Sequence, residues 1–233
     1  MRLSYLNLLK TASISSTSEN ANNPIKNIYH NWKKKYFEAE STTTTLTATF
    51  DEISDITSVC VAYHNLSACT VNFYDYSDTL LDTWTLDCTH KTEAQYGSVS
   101  NVSHATFVCT SLDNVQIGTL FIGDSIYSGI EAEQGLPLSS SDSVSESSDS
   151  QVSGRKGSVT RGEVTITIPL LSASERKQIE YAFYECGLIT PFFLDLWNSS
   201  HDSFEPVYCR FTGMTPFHGK TFDSVEMTIK EVN

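Results

Sequence analysis

The chain has 233 residues, enough for one or two domains, and its 28 acidic side chains outnumber 15 Lys and Arg to give a formal net charge of −13. That balance excludes a duplex-binding surface, because neutralising phosphates takes clustered Lys and Arg, and the single basic run, Lys33-Lys34-Lys35, reads as a solvated loop. No apolar run of about 18 residues is present, so no membrane-spanning helix is expected.

Residues 1–16 hold a short apolar patch broken by Asn7 and Lys10, which does not read as a cleaved signal peptide. Residues 11–37 are polar and turn-rich, with Asn22-Asn23-Pro24 as a turn signal. Strand-like runs follow at 44–50, 58–64, 70–76, 80–86, 104–110 and 115–122. Most alternate with the strand period, as Val59, Val61 and Tyr63 do against Ser58, Cys60 and Ala62. Short strands separated by turn residues predict a β-sandwich or barrel.

Trp32, Tyr36 and Phe37 have faces suited to stacking on a sugar ring, and equally to packing in a core. Tyr74 and Tyr76, with Asp75 and Asp78 beside them, read either as a binding loop or as one exposed strand face. His64, next to Asn65 and Leu66, reads as a strand-end cap whose imidazole bonds a loop amide, with a catalytic or ligand role as the alternative.

Residues 131–161 are dominated by Ser, Asp and Glu and carry few large apolar side chains, so a linker or extended arm is expected. Gly154-Arg155-Lys156-Gly157 lacks the Gly-Lys-Ser/Thr ending of a phosphate cradle and reads as a loop. The six cysteines, at 60, 69, 88, 109, 186 and 209, fall mostly in strand or helix runs and read as buried free thiols. None has zinc-finger spacing.

A helix is predicted from 173 to 186. Ser172 and Glu175 form a capping box, Ile179, Ala182, Phe183 and Cys186 an apolar stripe, and Gly187 the C-terminal stop. Phe183 sits at the centre of that stripe. Strand-like runs at 163–168, 192–194, 207–212 and 222–232 surround the helix, which predicts a small α+β unit with one helix laid on a sheet.

The order TITIPLLSASERKQIEYAFYECGLITPFFLDLW, then YCRFTG, then FDSVEMTIKEV resembles the C-terminal part of minor tail proteins of long-tailed bacteriophages. Over residues 10–130 the chain is similar to the galactose-binding-like, discoidin-type jelly roll. That match rests on Asn27-Ile28 with Trp32, on His64-Asn65-Leu66, and on Gly118, Leu120 and Gly123. Together the resemblances imply a mainly β chain: a jelly-roll sandwich at 1–130, a linker or arm at 131–161, and an α+β assembly domain at 162–233. They imply a structural component of the tail tip, baseplate or connector, located in the virion and held in a ring or tip complex with other tail proteins or copies of itself. The alternative is a carbohydrate-binding module for attachment to cell-surface glycan. Trp32, Tyr36, Tyr74 and Tyr76 are the glycan-binding candidates, and Tyr184, on the helix flank away from the stripe, is the assembly-surface candidate. No nucleophile elbow, HExxH, EF-hand loop or Rossmann glycine set is present, so no catalytic residue, cofactor or metal is expected, and no sequence-specific nucleic-acid binding.

Overall fold

The computed structural model describes residues 1–29, 35–127, 138–140, 143–146, 152–155, 159–196, 206–219 and 221–232. In chain order the first strands are β1 (Arg2–Ser4), β2 (Ser13–Ser16), β3 (Phe37–Glu38), β4 (Thr43–His64) and β5 (Leu66–Tyr74). Next come β6 (Leu80–Leu86), β7 (Thr92–Ser111), β8 (Gln116–Gly123) and β9 (Ser125–Tyr127). Four short strands, β10 (Leu138–Ser140), β11 (Ser143–Glu146), β12 (Val152–Arg155) and β13 (Val159–Arg161), precede β14 (Val164–Leu171) and helix α1 (Ala173–Cys186). The chain ends with β15 (Phe192–Asp195), β16 (Val207–Phe217) and β17 (Asp223–Glu231). It is mainly β and divides into two compact units, Met1–Gly129 with Pro191–Tyr208, and Ile130–Thr190 with Cys209–Asn233.

The first unit is a β-sandwich built on one antiparallel pair. Strands β4 and β7 run 22 and 20 residues, far beyond the usual 5 or 6. Their pairing shifts register three times between Thr49 and Ser58. Each bulge adds twist and bends the strand. Thus the two runs expected at 44–50 and 58–64 are halves of one bent strand. The half from Thr43 to Thr49 takes β2 on its free edge, while β7 adds β5 and then β6. The half from Ser58 to His64 takes β8 and then β3.

Between the two sheets lie Leu46, Val71, Phe73, Trp84, Phe107 and Ile117, with others of the same period. Each such side chain contributes about 1.5–3 kcal/mol by leaving water. Phe73 and Trp84 meet edge to face with centroids 4.7 Å apart, and the indole N–H donates to Asp82 Oδ2 at 2.9 Å. The indole lies over Gly97, where a Cβ would come within 2.4 Å of the ring, so no other residue fits without a shift.

The sheet formed by β8 and the second half of β4 is buried on both faces, so Val59, Cys60, Val61 and Ala62 are all inside. The cover on the outer face is β1, paired with β15 on one side and β9 on the other. Ser4 Oγ donates to Ser58 Oγ at 3.0 Å, and Phe193 meets Phe121 at 6.0 Å. Within this unit β15 pairs with β1, Leu194 facing Leu3. Its apolar run suits any doubly buried strand, so the sequence left its partner open.

His64 ends β4 as expected, its Nδ1 accepting the Leu66 amide at 3.1 Å. Burial pushes its imidazole down to about 4. The unfolded chain takes up this proton near pH ~6.5, so stability is full above that pH and declines as pH falls towards 4. Urea titrations across pH 4–7.5 should show that decline, reduced in His64→Gln. A decline of unchanged size in the variant would remove His64 as its source.

In the second unit, β17 lies between β14 and β16, all antiparallel. Helix α1 packs on β14 and β17. The capping box is complete: Ser172 Oγ accepts the Glu175 amide at 3.2 Å and Glu175 Oε2 accepts the Ser172 amide at 2.8 Å. Gly187 takes φ 55°, and its N–H bonds the Phe183 carbonyl at 2.8 Å. The buried line is Arg176, Ile179, Ala182 and Cys186. Phe183 is only half-buried, against Phe211 at 5.2 Å, so it flanks the stripe instead of centring it. Arg176 Nε donates to Asp223 Oδ2 at 2.7 Å, and Glu180 completes the ion pair, which is how a guanidinium lies inside.

Residues 131–161, expected as a linker or extended arm, hold four short strands among the described residues. These pair as β10 with β13 and β11 with β12, and Gly154 and Arg155 lie in β12. No helix among the described residues is long and apolar enough to cross a membrane.

Ile179→Ala should cost about 2–5 kcal/mol in denaturant unfolding. Phe183→Ala should cost less, and Tyr184→Ala should stay within about 0.5 kcal/mol. A larger loss at Phe183 than at Ile179 would contradict this order of burial.

Candidate functional site

Strand pairing carries one row of residues across the sheet of β2, β4, β7, β5 and β6. Ser13 faces Thr49, Thr49 faces His104, His104 faces Tyr74, and Tyr74 faces Leu80. Phe73 and Ala105 are buried. By the strand period, their neighbours Tyr74 and His104 turn to the outer face. There the two rings stack face to face, centroids 4.8 Å apart and 6° from parallel.

Past this row, β5 turns into β6. Asp75 Oδ1 accepts the Ser77 amide at 2.8 Å and the Thr79 amide at 2.9 Å, and the Asp75 amide bonds the Thr79 carbonyl at 3.1 Å. This is an Asx turn, in which a short carboxylate imitates a backbone acceptor. The Thr79 amide first, then the Ser77 amide and the His104 imidazole, hold the Asp75 carboxyl below the usual range. Asp78 takes φ 60°, which turns the chain back, and its Oδ1 stands 3.7 Å from His104 Nε2. Ser103 Oγ lies 3.0 Å from His104 Nδ1 and donates to the Tyr74 carbonyl at 3.3 Å. Tyr76, at the tip of the turn, is 81% exposed.

One row inward on the same face are Thr47, Thr106, Asn72 and Thr83, with Thr83 Oγ1 donating to Asn72 Oδ1 at 2.9 Å. The arrangement thus offers a free phenol ring, a stacked Tyr–His pair, a carboxylate and a row of hydroxyl and amide groups.

Of the sequence candidates, Tyr74 and Tyr76 come together here, with Asp75 and Asp78. Tyr36 does not: it precedes β3, at the opposite end of the sheet order, half-buried, with its carbonyl accepting Asn27 Nδ2 at 3.0 Å. Trp32 lies outside the described residues. Tyr184 is 79% exposed on α1, in the second unit. His104 was not foreseen, because only the β5–β7 pairing brings it to Tyr74.

A shallow hollow elsewhere in the first unit is lined by Tyr5, Lys10, Tyr29, Phe121, Phe193 and Tyr208 among others. Asn7 at its wall is fully engaged, donating to the Leu120 carbonyl and accepting the Leu9 and Ile122 amides. Among the described residues no group of three or more His, Cys, Asp or Glu could hold a metal ion.

No family model and no curated protein matches the chain. Solved structures with a similar fold include a chitosan-binding module from a chitosanase/glucanase of Paenibacillus sp. IK-5, at 9% identity over 51% of this chain and 98% of that one, with a TM-score of 0.44. A Streptococcus pneumoniae fucose-binding module matches at 9% identity over 53% of this chain and 99% of that one, with a TM-score of 0.45. A Ruminococcus gnavus GH29 fucosidase matches at 11% identity over 52% of this chain, with a TM-score of 0.45; this chain spans 27% of its length. Likeness at this level assigns no family, and nothing in these comparisons supports the tail-protein resemblance. The class that the chain's own geometry defines is a β-sandwich with an exposed aromatic turn.

Asp75→Ala removes the acceptor of two turn amides. Hydrogen exchange at Ser77 and Thr79 should quicken by roughly tenfold, the effect of losing about 1–1.5 kcal/mol, while amides of β4 stay as slow as before. Unchanged exchange at both would mean the turn is not held by this carboxylate.

Proposed function

We propose that the chain is a non-catalytic glycan-binding module whose ligand lies on the turn from Tyr74 to Leu80 and on the adjoining outer sheet face. The observation that carries the reading is Tyr76, an 81% exposed ring on a turn fixed by Asp75 and set beside the stacked Tyr74–His104 pair. An exposed ring on a rigid turn loses little conformational entropy on binding. The C–H face of a pyranose covers such a ring, while its hydroxyls find Asp78, Ser103 and the Asn72–Thr106 row as donors and acceptors. Asp75 holds the turn, its Oδ1 accepting two backbone amides.

A second reading keeps the chain as a component of a virion tail, with Tyr184 at an assembly surface. It is favoured by the exposure of Tyr181, Tyr184, Leu188 and Ile189 on and just after α1. The two separate by behaviour. A module binds glycan as a free chain, whereas a tail subunit purifies in fixed stoichiometry with particles and loses incorporation on Tyr184→Ala.

Tyr76→Ala should weaken binding on a glycan array roughly tenfold or more, the loss expected of a stacking ring worth about 1.4 kcal/mol, with unfolding unchanged. His104→Ala should weaken it as well by freeing Tyr74 to rotate. Full retention of binding in both variants would place the ligand elsewhere, and no binding by the intact chain to any glycan would sink the reading.

A further inference from the structure

No disulfide joins the six cysteines, and two of their thiols face each other. Cys69 on β5 is the direct cross-strand partner of Cys109 on β7, with the sulfurs 3.7 Å apart. Both are buried at 1% exposure. Directly opposed residues of an antiparallel pair have Cα atoms about 4.5–5.5 Å apart, inside the window of about 4.4–6.8 Å that a disulfide spans. Bringing the sulfurs to about 2.05 Å needs side-chain rotation and no change of strand register. Cys60 faces Ala94 and Phe121, and Cys209 faces Glu231 on β17, so neither is paired with another cysteine in these registers. Cys88 lies two residues past Leu86, which pairs with Cys69 from the other side, and it is only half-buried.

We infer that Cys69 and Cys109 are an oxidation site that closes to a cross-strand disulfide when the chain meets a small-molecule disulfide such as oxidised glutathione. One thiol loses its proton and attacks the reagent, forming a mixed disulfide and releasing one glutathione. The second thiol loses its proton and attacks the protein sulfur of that bond, releasing the other glutathione. Two protein thiols are thereby oxidised by two electrons, and one reagent disulfide is reduced to two thiols. The contact with the Cys109 thiol, and then burial, push Cys69 well above its ordinary range, so the thiolate is scarce and closure in the folded state is slow at neutral pH. The bond joins the two strands that carry Tyr74 and His104.

The test exposes the full chain to oxidised glutathione, both folded and during refolding from denaturant, and maps disulfides by mass spectrometry without reductant. A Cys69–Cys109 cross-link should form, and the melting midpoint should rise by roughly 5–10 °C through restriction of the unfolded chain. Cys109→Ser should abolish both changes, and Cys88→Ser should leave them in place. A Cys69–Cys88 link, glutathione on Cys88 with Cys69 and Cys109 still reduced, or no cross-link in either regime would overturn the inference.

Discussion

The first unit depends on the pairing of β4 with β7. A sandwich needs two sheets, and here one antiparallel pair supplies the centre of both, since it bends where the register shifts between Thr49 and Ser58. The bend keeps its apolar residues inside: Ile56 and Val102 are fully buried, and Phe50 and Val99 nearly so. On the solvent side it carries Asp51, Glu52 and Ile53 outward. The outer strands then attach by edge pairing, and the cost of closing these long-range contacts is met once, by the central pair.

The same pairing creates the candidate site. A row of residues across five paired strands puts His104 against Tyr74 although thirty positions separate them in the numbering. Stacking fixes the tyrosine ring, and the Asx turn fixes the tyrosine beyond it. Both devices reduce the freedom of groups that a ligand would otherwise have to order. A net charge of −13 suits this picture, because it disfavours polyanions and leaves neutral or cationic partners.

The second unit follows a simpler logic. Helix α1 begins on a reciprocal cap, ends on a glycine with positive φ, and buries a narrow line against β14 and β17. The line starts at Arg176, whose charge is admitted only because Asp223 and Glu180 lie against it. Its opposite flank leaves Tyr181 and Tyr184 in solvent. Phe183 sits at the flank of this row, half-buried.

The amino-acid sequence by itself determined what depends on neighbours along the chain. Strand period and turn residues specified a mainly β chain; the Ser172 cap and Gly187 marked the helix ends; the Leu80–Leu86 strand was placed to the residue. Local signals also singled out Tyr74, Asp75, Tyr76 and Asp78, either as a binding loop or as one exposed strand face. What only the tertiary structure decided depends on distant pairing. Arg2–Ser4 and Ser13–Ser16 are strands because β15, β9 and β4 offer them edges, and three or four residues carry too little period to announce that. Runs 44–50 and 58–64 read as separate strands because the polar stretch between them resembles a loop, whereas β7 holds it as a bulged continuation. His104 joined the site, and Cys109 met Cys69, through the register of β5 on β7. Register is a property of two strands, fixed by which faces both can bury, and one strand read alone does not contain it.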